Sequence, residues 1–161
     1  MSEVLTGGCQ CGAVRFRIVG PLGRASICHC RMCQKAFGGF FGPLVSVEVK
    51  HLTWTRGAPK HFQSSNKVSR GFCGACGTPL TFEWSEEVHE IAIGAFDDPA
   101  PIAPAMQNAR EARLPYVDGL AAVPGRSPEQ EVMFAGWRAQ IISYQHPDHD
   151  TEVWPPPGRA G

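Results

Sequence analysis

Apolar and basic side chains alternate over residues 13–19 (Ala-Val-Arg-Phe-Arg-Ile-Val), the two-residue period of a strand with one buried face. Apolar-rich runs at 39–47, 52–55, 61–64, 68–72, 80–84 and 89–96 predict further strands. Turn residues separate them at short intervals, among them Gly20-Pro21, Arg56-Gly57-Ala58-Pro59 and Ser65-Asn66-Lys67. That rhythm belongs to antiparallel β architecture. Two stretches carry helical signals. Residues 34–37 predict a short helix stopped by Gly38-Gly39. Ser127-Pro128-Glu129-Gln130 supplies an N-cap, a proline at the first helical position and a glutamine placed for a capping box. Val132, Met133, Trp137 and Ile141 then recur at helical spacing, predicting a face that packs onto the sheets. Residues 97–124 read as a long surface loop. A mainly β chain with one or two short peripheral helices is expected, as a single domain over 1–145 followed by an extended or disordered tail over 146–161.

Composition narrows the class without choosing a function. The 161 residues include 43% hydrophobic ones, ordinary for a globular chain with a real core. Fifteen basic and fifteen acidic side chains cancel, so no broad field draws the protein to nucleic acid or anionic lipid. No apolar run approaches the roughly 20 residues of a membrane span. The first residues show no basic start followed by an apolar stretch, so no secretory signal is expected and a cytoplasmic location is.

The seven cysteines carry the chemistry. Cys9 and Cys11 are one residue apart, Cys28, Cys30 and Cys33 form C-x-C-x-x-C, and Cys73 and Cys76 form C-x-x-C before Gly77. An odd count in tight knots disfavours a disulfide framework and favours a metal. Two glycine-flanked pairs, Cys9 with Cys11 and Cys73 with Cys76, make up one closed tetrahedral zinc site that fastens remote segments together. Three thiols remain. A zinc ion held only by Cys28, Cys30 and Cys33 keeps one position for water or substrate, the arrangement of catalytic zinc. His29, between two ligands, cannot easily turn back to the same ion. Closure by a distant histidine, iron–sulfur ligation and a redox dithiol stand as alternatives for this cluster.

These motifs together resemble the glutathione-dependent formaldehyde-activating enzyme family, which includes relatives of centromere protein V. The resemblance runs from Gly8-Cys9-Gln10-Cys11-Gly12 through Cys28-His29-Cys30-Arg31-Met32-Cys33 to Phe72-Cys73-Gly74-Ala75-Cys76-Gly77-Thr78-Pro79-Leu80, over roughly the first 100 residues. It implies a β-tent of small antiparallel sheets, a structural zinc on the outer pairs and a second zinc on the central three. It also implies a carbon–sulfur lyase type of reaction run in reverse, in which glutathione and formaldehyde give S-hydroxymethylglutathione. One departure stands out: Gln107 occupies the place where family members often carry a histidine, and no tryptophan follows.

A co-substrate with two carboxylates calls for cations near the open metal position. Arg31 and Lys35, beside the central motif, are the candidates, with Arg70 as a third; Phe37, Phe40 and Phe41 are expected in the core rather than on a pocket wall. The expected partner is a small-molecule thiol. The rival reading is a non-enzymatic zinc module that recognises a macromolecule, with both metals structural.

Overall fold

Phe16, at the centre of the alternating run, is fully buried, and the two sheets meet around it. Its ring packs edge-on against Trp54 at 6.0 Å and Phe96 at 5.3 Å. Such pairs add about 0.5–1.5 kcal/mol beyond the area they bury. Ile18, Val45, Val47, Leu80 and Ile91 complete the sealed core. The computed structural model describes residues 4–155.

The chain is mainly β, as its periodicity predicts. β1 (Val4–Gly8), β2 (Arg15–Val19) and β5 (Leu52–Arg56) form an antiparallel three-stranded sheet in the order β1-β2-β5. The second sheet contains β3 (Ala25–Cys28), β4 (Gly42–Glu48), β6 (Lys60–Ser65), β7 (Val68–Phe72), β8 (Pro79–Glu83), β9 (Val88–Ala92) and β10 (Met106–Asn108). Its order is β10-β3-β4-β9-β8-β7-β6, antiparallel except where β10 runs parallel to β3. A bridge between Gly7 and Phe96 links the two sheets.

The sequence places most strands but not all of them. β1, β3 and β10 are additional. The 89–96 run pairs only as far as Ala92 and then turns into a 3-10 segment, Ile93–Ala95. The expected surface loop at 97–124 contains β10 and two 3-10 turns, Arg110–Ala112 and Val117–Ala122. The short helix starts three residues earlier than predicted, as α1 (Arg31–Phe37), and ends at Gly38 in the left-handed region (φ 61°).

The C-terminal helix forms as α2 (Pro128–Arg138), with the capping box between Ser127 and Gln130 in place. Its packing differs from expectation. Val132 is 77% and Trp137 64% exposed, and no residue of α2 is buried. Capping and spacing specify the helix locally, but they do not supply a partner for its apolar face.

Residues beyond Gln145 form no helix or strand among those described, yet they are anchored. The His146 amide donates to the Gln10 carbonyl at 2.7 Å, Trp154 Nε1 donates to the Cys11 carbonyl at 2.7 Å, and Arg15 reaches Asp150. Arg56 donates to the Thr151 carbonyl. Residues 156–161 of the expected tail lie outside the described residues. No helix among those described is long and apolar enough to cross a membrane.

Candidate functional site

Cys9, at the end of β1, and Cys73, at the end of β7, open two turns built alike. The Cys9 amide donates to the Val14 carbonyl and the Cys73 amide to the Thr78 carbonyl, both at 2.9 Å and both five residues onward. Backbone amides also point at sulfur: Val14 N at 3.2 Å from Cys9 Sγ, and Ala75 N at 3.4 Å from Cys73 Sγ. Each turn is closed by a glycine in the left-handed region, Gly12 (φ 80°) and Gly77 (φ 79°). At Gly12 the requirement is double, because a Cβ would also collide with the His146 ring.

The two turns bring the four sulfurs of Cys9, Cys11, Cys73 and Cys76 within 4.8 Å of one another. Cys11 Sγ lies 3.6 Å from Cys9 Sγ and 3.9 Å from Cys73 Sγ. A tetrahedral ion bound at the zinc–sulfur length of about 2.3 Å requires sulfurs about 3.8 Å apart. The donor set and the spacing both fit such an ion, and the cluster could hold a metal.

Protonation within this cluster is uneven. Burial pushes the Cys9 and Cys11 thiols up, while Cys76 is pulled down to about 6 by the Thr78 hydroxyl and neighbouring amides, which outweigh its burial. Four thiolates cannot share so small a volume without a cation, and a bound dication would ionise all of them.

The central cluster uses a strand end and a helix start. Cys28 closes β3, Cys30 is the N-cap of α1, and Cys33 lies in its first turn. These three sulfurs also lie within 4.8 Å of one another, and among the described residues no histidine, aspartate or glutamate joins them. Cys33 is sealed; Cys28 and Cys30 are half-buried. Burial raises Cys28 to about 12 and also raises Cys33, where it outweighs the opposing pull of Arg70. At half-buried Cys30 desolvation also pushes upward, but the Cys33 amide at 3.4 Å from its sulfur and the neighbouring thiols bring it below the ordinary thiol value.

A cavity of about 300 Å³ opens beside this triad. Its polar wall includes Arg24, Ser26, Ser46, Ser64, Arg70, Glu90 and Asn108; Met32, Leu44, Val68 and Phe82 supply apolar surface. This mixture of apolar walls and a few convergent polar groups suits a small polar ligand.

Of the three candidate cations, the structure places Arg70 on the wall of this cavity and Arg31 and Lys35 away from it. Arg31 Nη1 bonds Gln34 Oε1 at 2.9 Å, and Lys35 lines a different cavity of about 280 Å³. Neither lines the triad cavity, whose cations are Arg24 and Arg70. Phe37 packs against the core, as expected. Phe40 is exposed and meets Tyr116, and Phe41 meets His29 edge-on at 5.8 Å.

A model of the family described as "Glutathione-dependent formaldehyde-activating enzyme" matches residues 4–111, well over half of the chain. The chain belongs to this family. A curated protein from Halomonas elongata, provisionally named a glutathione-dependent formaldehyde-activating enzyme, is 30% identical over 155 residues, covering 89% of this chain and 94% of the relative. A crystal structure of a Rhodobacter sphaeroides protein superposes with a TM-score of 0.52, over 64% of this chain and 99% of that one. At 19% identity that likeness supports the fold alone.

Gln107, where the resemblance led to the expectation of a histidine, lies behind the triad. Gln107 does not line the triad cavity, whereas its strand neighbours Met106 and Asn108 do. Alternation along β10 turns Gln107 away from it, and its Oε1 meets Nε2 of the sealed His29 at 2.9 Å. Behind the triad, Gln34 ties the loop further. Its Nε2 donates to the His29 carbonyl at 2.7 Å and to the Ala112 carbonyl at 3.1 Å. The sequence offered one clue to Gln34, its place immediately after Cys33. Nothing in it pointed to Arg24, Glu90 or Asn108 as cavity residues.

Proposed function

We propose that this protein catalyses the addition of the glutathione thiol to formaldehyde, giving S-hydroxymethylglutathione, at a zinc ion held by Cys28, Cys30 and Cys33. A second zinc, held by Cys9, Cys11, Cys73 and Cys76, fastens β1 to the β7–β8 turn. The observation that carries this reading is the unequal pair of thiol clusters. Four sulfurs complete a tetrahedron, whereas three sulfurs beside a cavity, with no histidine or carboxylate among the described residues joining them, leave one position for a ligand. The family match supports glutathione and formaldehyde as the substrates.

When bound there, zinc would offer that position and lower the pKa of a thiol placed on it. The protein does the rest. Cys28, Cys30 and Cys33 fix where the substrate sulfur sits, so its meeting with the small carbonyl becomes local. In the addition, sulfur forms a bond to carbon while the carbonyl π pair moves to oxygen, which ends with the proton the thiol gave up. Asn108 Nδ2, 3.3 Å from Ser26 Oγ on the same cavity wall, is a donor for that oxygen as its charge develops. Leu44, Val68 and Phe82 limit water in the cavity, and exposed Arg24 at its edge meets a glutathione carboxylate. Seven cysteines committed to metal rather than to disulfides suit a reducing compartment such as the cytoplasm.

The test is exchange NMR on zinc-loaded protein with glutathione and formaldehyde. Interconversion with S-hydroxymethylglutathione is expected to exceed the spontaneous rate and to fall to that rate in Cys30→Ser. No acceleration by the loaded wild-type protein would overturn the proposal.

A further inference from the structure

Arg70 is only 3% exposed, and among the described residues it forms no ion pair with any carboxylate. Its Nε donates to Ser64 Oγ at 3.0 Å, its guanidinium lies 4.7 Å from the centre of the Phe82 ring, and its Nη2 points at Cys33 Sγ at 3.3 Å. A guanidinium carries a full charge, and burying one is costly unless that charge is compensated. A neutral hydroxyl and a ring face offset only part of that cost. The remaining partner is sulfur, and a thiolate is a far better acceptor for a cation than a thiol.

We propose that Arg70 is the built-in counter-ion of the central cluster, a positioning residue that makes an electron-rich metal–thiolate centre tolerable and sets its preference for one more anionic sulfur ligand. The inference rests on the reading that Cys28, Cys30 and Cys33 hold a divalent metal. Three thiolates around a dication leave one net negative charge, and a fourth thiolate doubles it. In a partly closed cavity that second charge is expensive unless a cation lies against the ligands. Arg70 reaches the most buried of the three sulfurs, where solvent cannot screen the charge. Because it also borders the cavity, its field extends to the position an incoming thiolate would take. Ser64 and Phe82 hold the guanidinium beside the cluster, so the charge is in place before the ligand arrives. Arg24, by contrast, is exposed and can serve the far end of a substrate.

The test compares wild type with Arg70→Met, Arg70→Lys and Ser64→Ala, using two readouts that do not require turnover. The first is zinc affinity of the central cluster by competition with a chromophoric chelator. The second is cobalt-substituted protein titrated with glutathione and followed by sulfur-to-cobalt charge-transfer absorption. Arg70→Met is expected to weaken central metal binding about 10- to 100-fold, the range typical when a metal ligand is deprived of its hydrogen-bonding partner. It is also expected to weaken glutathione ligation at least as much, while the outer four-sulfur cluster keeps its metal. Arg70→Lys restores part of both by restoring charge, an effect a purely steric role would not produce. Ser64→Ala, which loosens the guanidinium without removing it, gives a smaller change in the same direction, and it keeps the test decisive should Arg70→Met misfold. Unchanged central affinity in Arg70→Met, or a smaller loss in Arg70→Met than in Arg70→Lys, overturns the inference. If wild type takes up the central metal but never ligates glutathione, the proposed function fails instead, and the zinc affinities still decide the role of Arg70.

Discussion

His29 Nε2 lies 2.9 Å from Gln107 Oε1, and this bond ties the cysteine loop to the edge strand behind it. The ring is sealed from solvent, and its Nδ1 has no partner among the described residues. Placing the proton on Nε2, where it meets the amide oxygen, leaves only a bare lone pair unpaired at Nδ1. The other tautomer would strand an N–H donor there, which is more costly. Gln107→Leu removes the acceptor and leaves that N–H unpaired. A loss of about 1–3 kcal/mol of stability is expected by denaturant unfolding, with zinc affinity at the outer cluster unchanged.

The two thiol clusters are expected to respond oppositely to single substitutions. On the proposed ligand sets, Cys73→Ser removes a ligand that joins β7 to the N-terminal turn, so cooperative unfolding is expected to be lost or the transition to move sharply down. Cys30→Ser leaves the strands paired and costs only the central metal. Metal analysis with thermal melts checks both: the second variant keeps its fold and holds half the metal of wild type.

Arg15 is buried in β2 against Asp97 on one side and the more exposed Asp150 on the other. Asp97→Asn is expected to cost about 2–3 kcal/mol, because a charge-assisted pair is broken around a buried guanidinium. Asp150→Asn is expected to cost under about 1 kcal/mol, since that carboxylate is 35% exposed and water screens its charge. The pH dependence has a definite sign. Although burial opposes its charge, Arg15 and the Thr6 hydroxyl hold the Asp97 carboxyl below its ordinary value. Its contribution is therefore complete above the unfolded value of about 3.9 and is lost as pH falls through the lower folded value. The stability gap between wild type and Asp97→Asn should stay constant from neutral pH to about 5 and close below about 4.

Arg24→Ala tests the cation at the cavity edge. A solvated ion pair with a remote carboxylate serves the ground state and the transition state alike. Removing it should raise KM for glutathione about 3- to 10-fold with kcat little changed. Arg31→Ala and Lys35→Ala, which do not line the cavity, should leave KM unchanged. Steady-state kinetics with varied glutathione separates these cases.

The thiol clusters were legible in the sequence because ligand spacing is a local property. Cys-x-Cys and Cys-x-x-Cys turns with Gly12 and Gly77 behind them state their geometry within a few residues. Strands with alternating or apolar runs, such as β2, β4 and β7, were legible for the same reason. β1 ends in Gly7-Gly8 and β10 has only three residues, so neither shows a period; tertiary pairing creates them. The capping box placed α2, but a face read from spacing says nothing about what lies opposite, and Trp137 stands exposed. The cavity was the least legible feature. Arg24, Arg70, Glu90 and Asn108 come from four separated segments, and only the register of β3, β4, β7, β8, β9 and β10 assembles them.

Cadmium-113 NMR of fully loaded protein, titrated with glutathione, tests most directly whether the central cluster has room for a substrate sulfur. Two resonances are expected, one of them characteristic of four sulfur ligands and indifferent to glutathione. The other, from Cys28, Cys30 and Cys33, should start at a position typical of three sulfurs and move toward the four-sulfur range as thiol is added. Two four-sulfur-like or nitrogen-containing signals that both ignore glutathione would contradict the proposed chemistry.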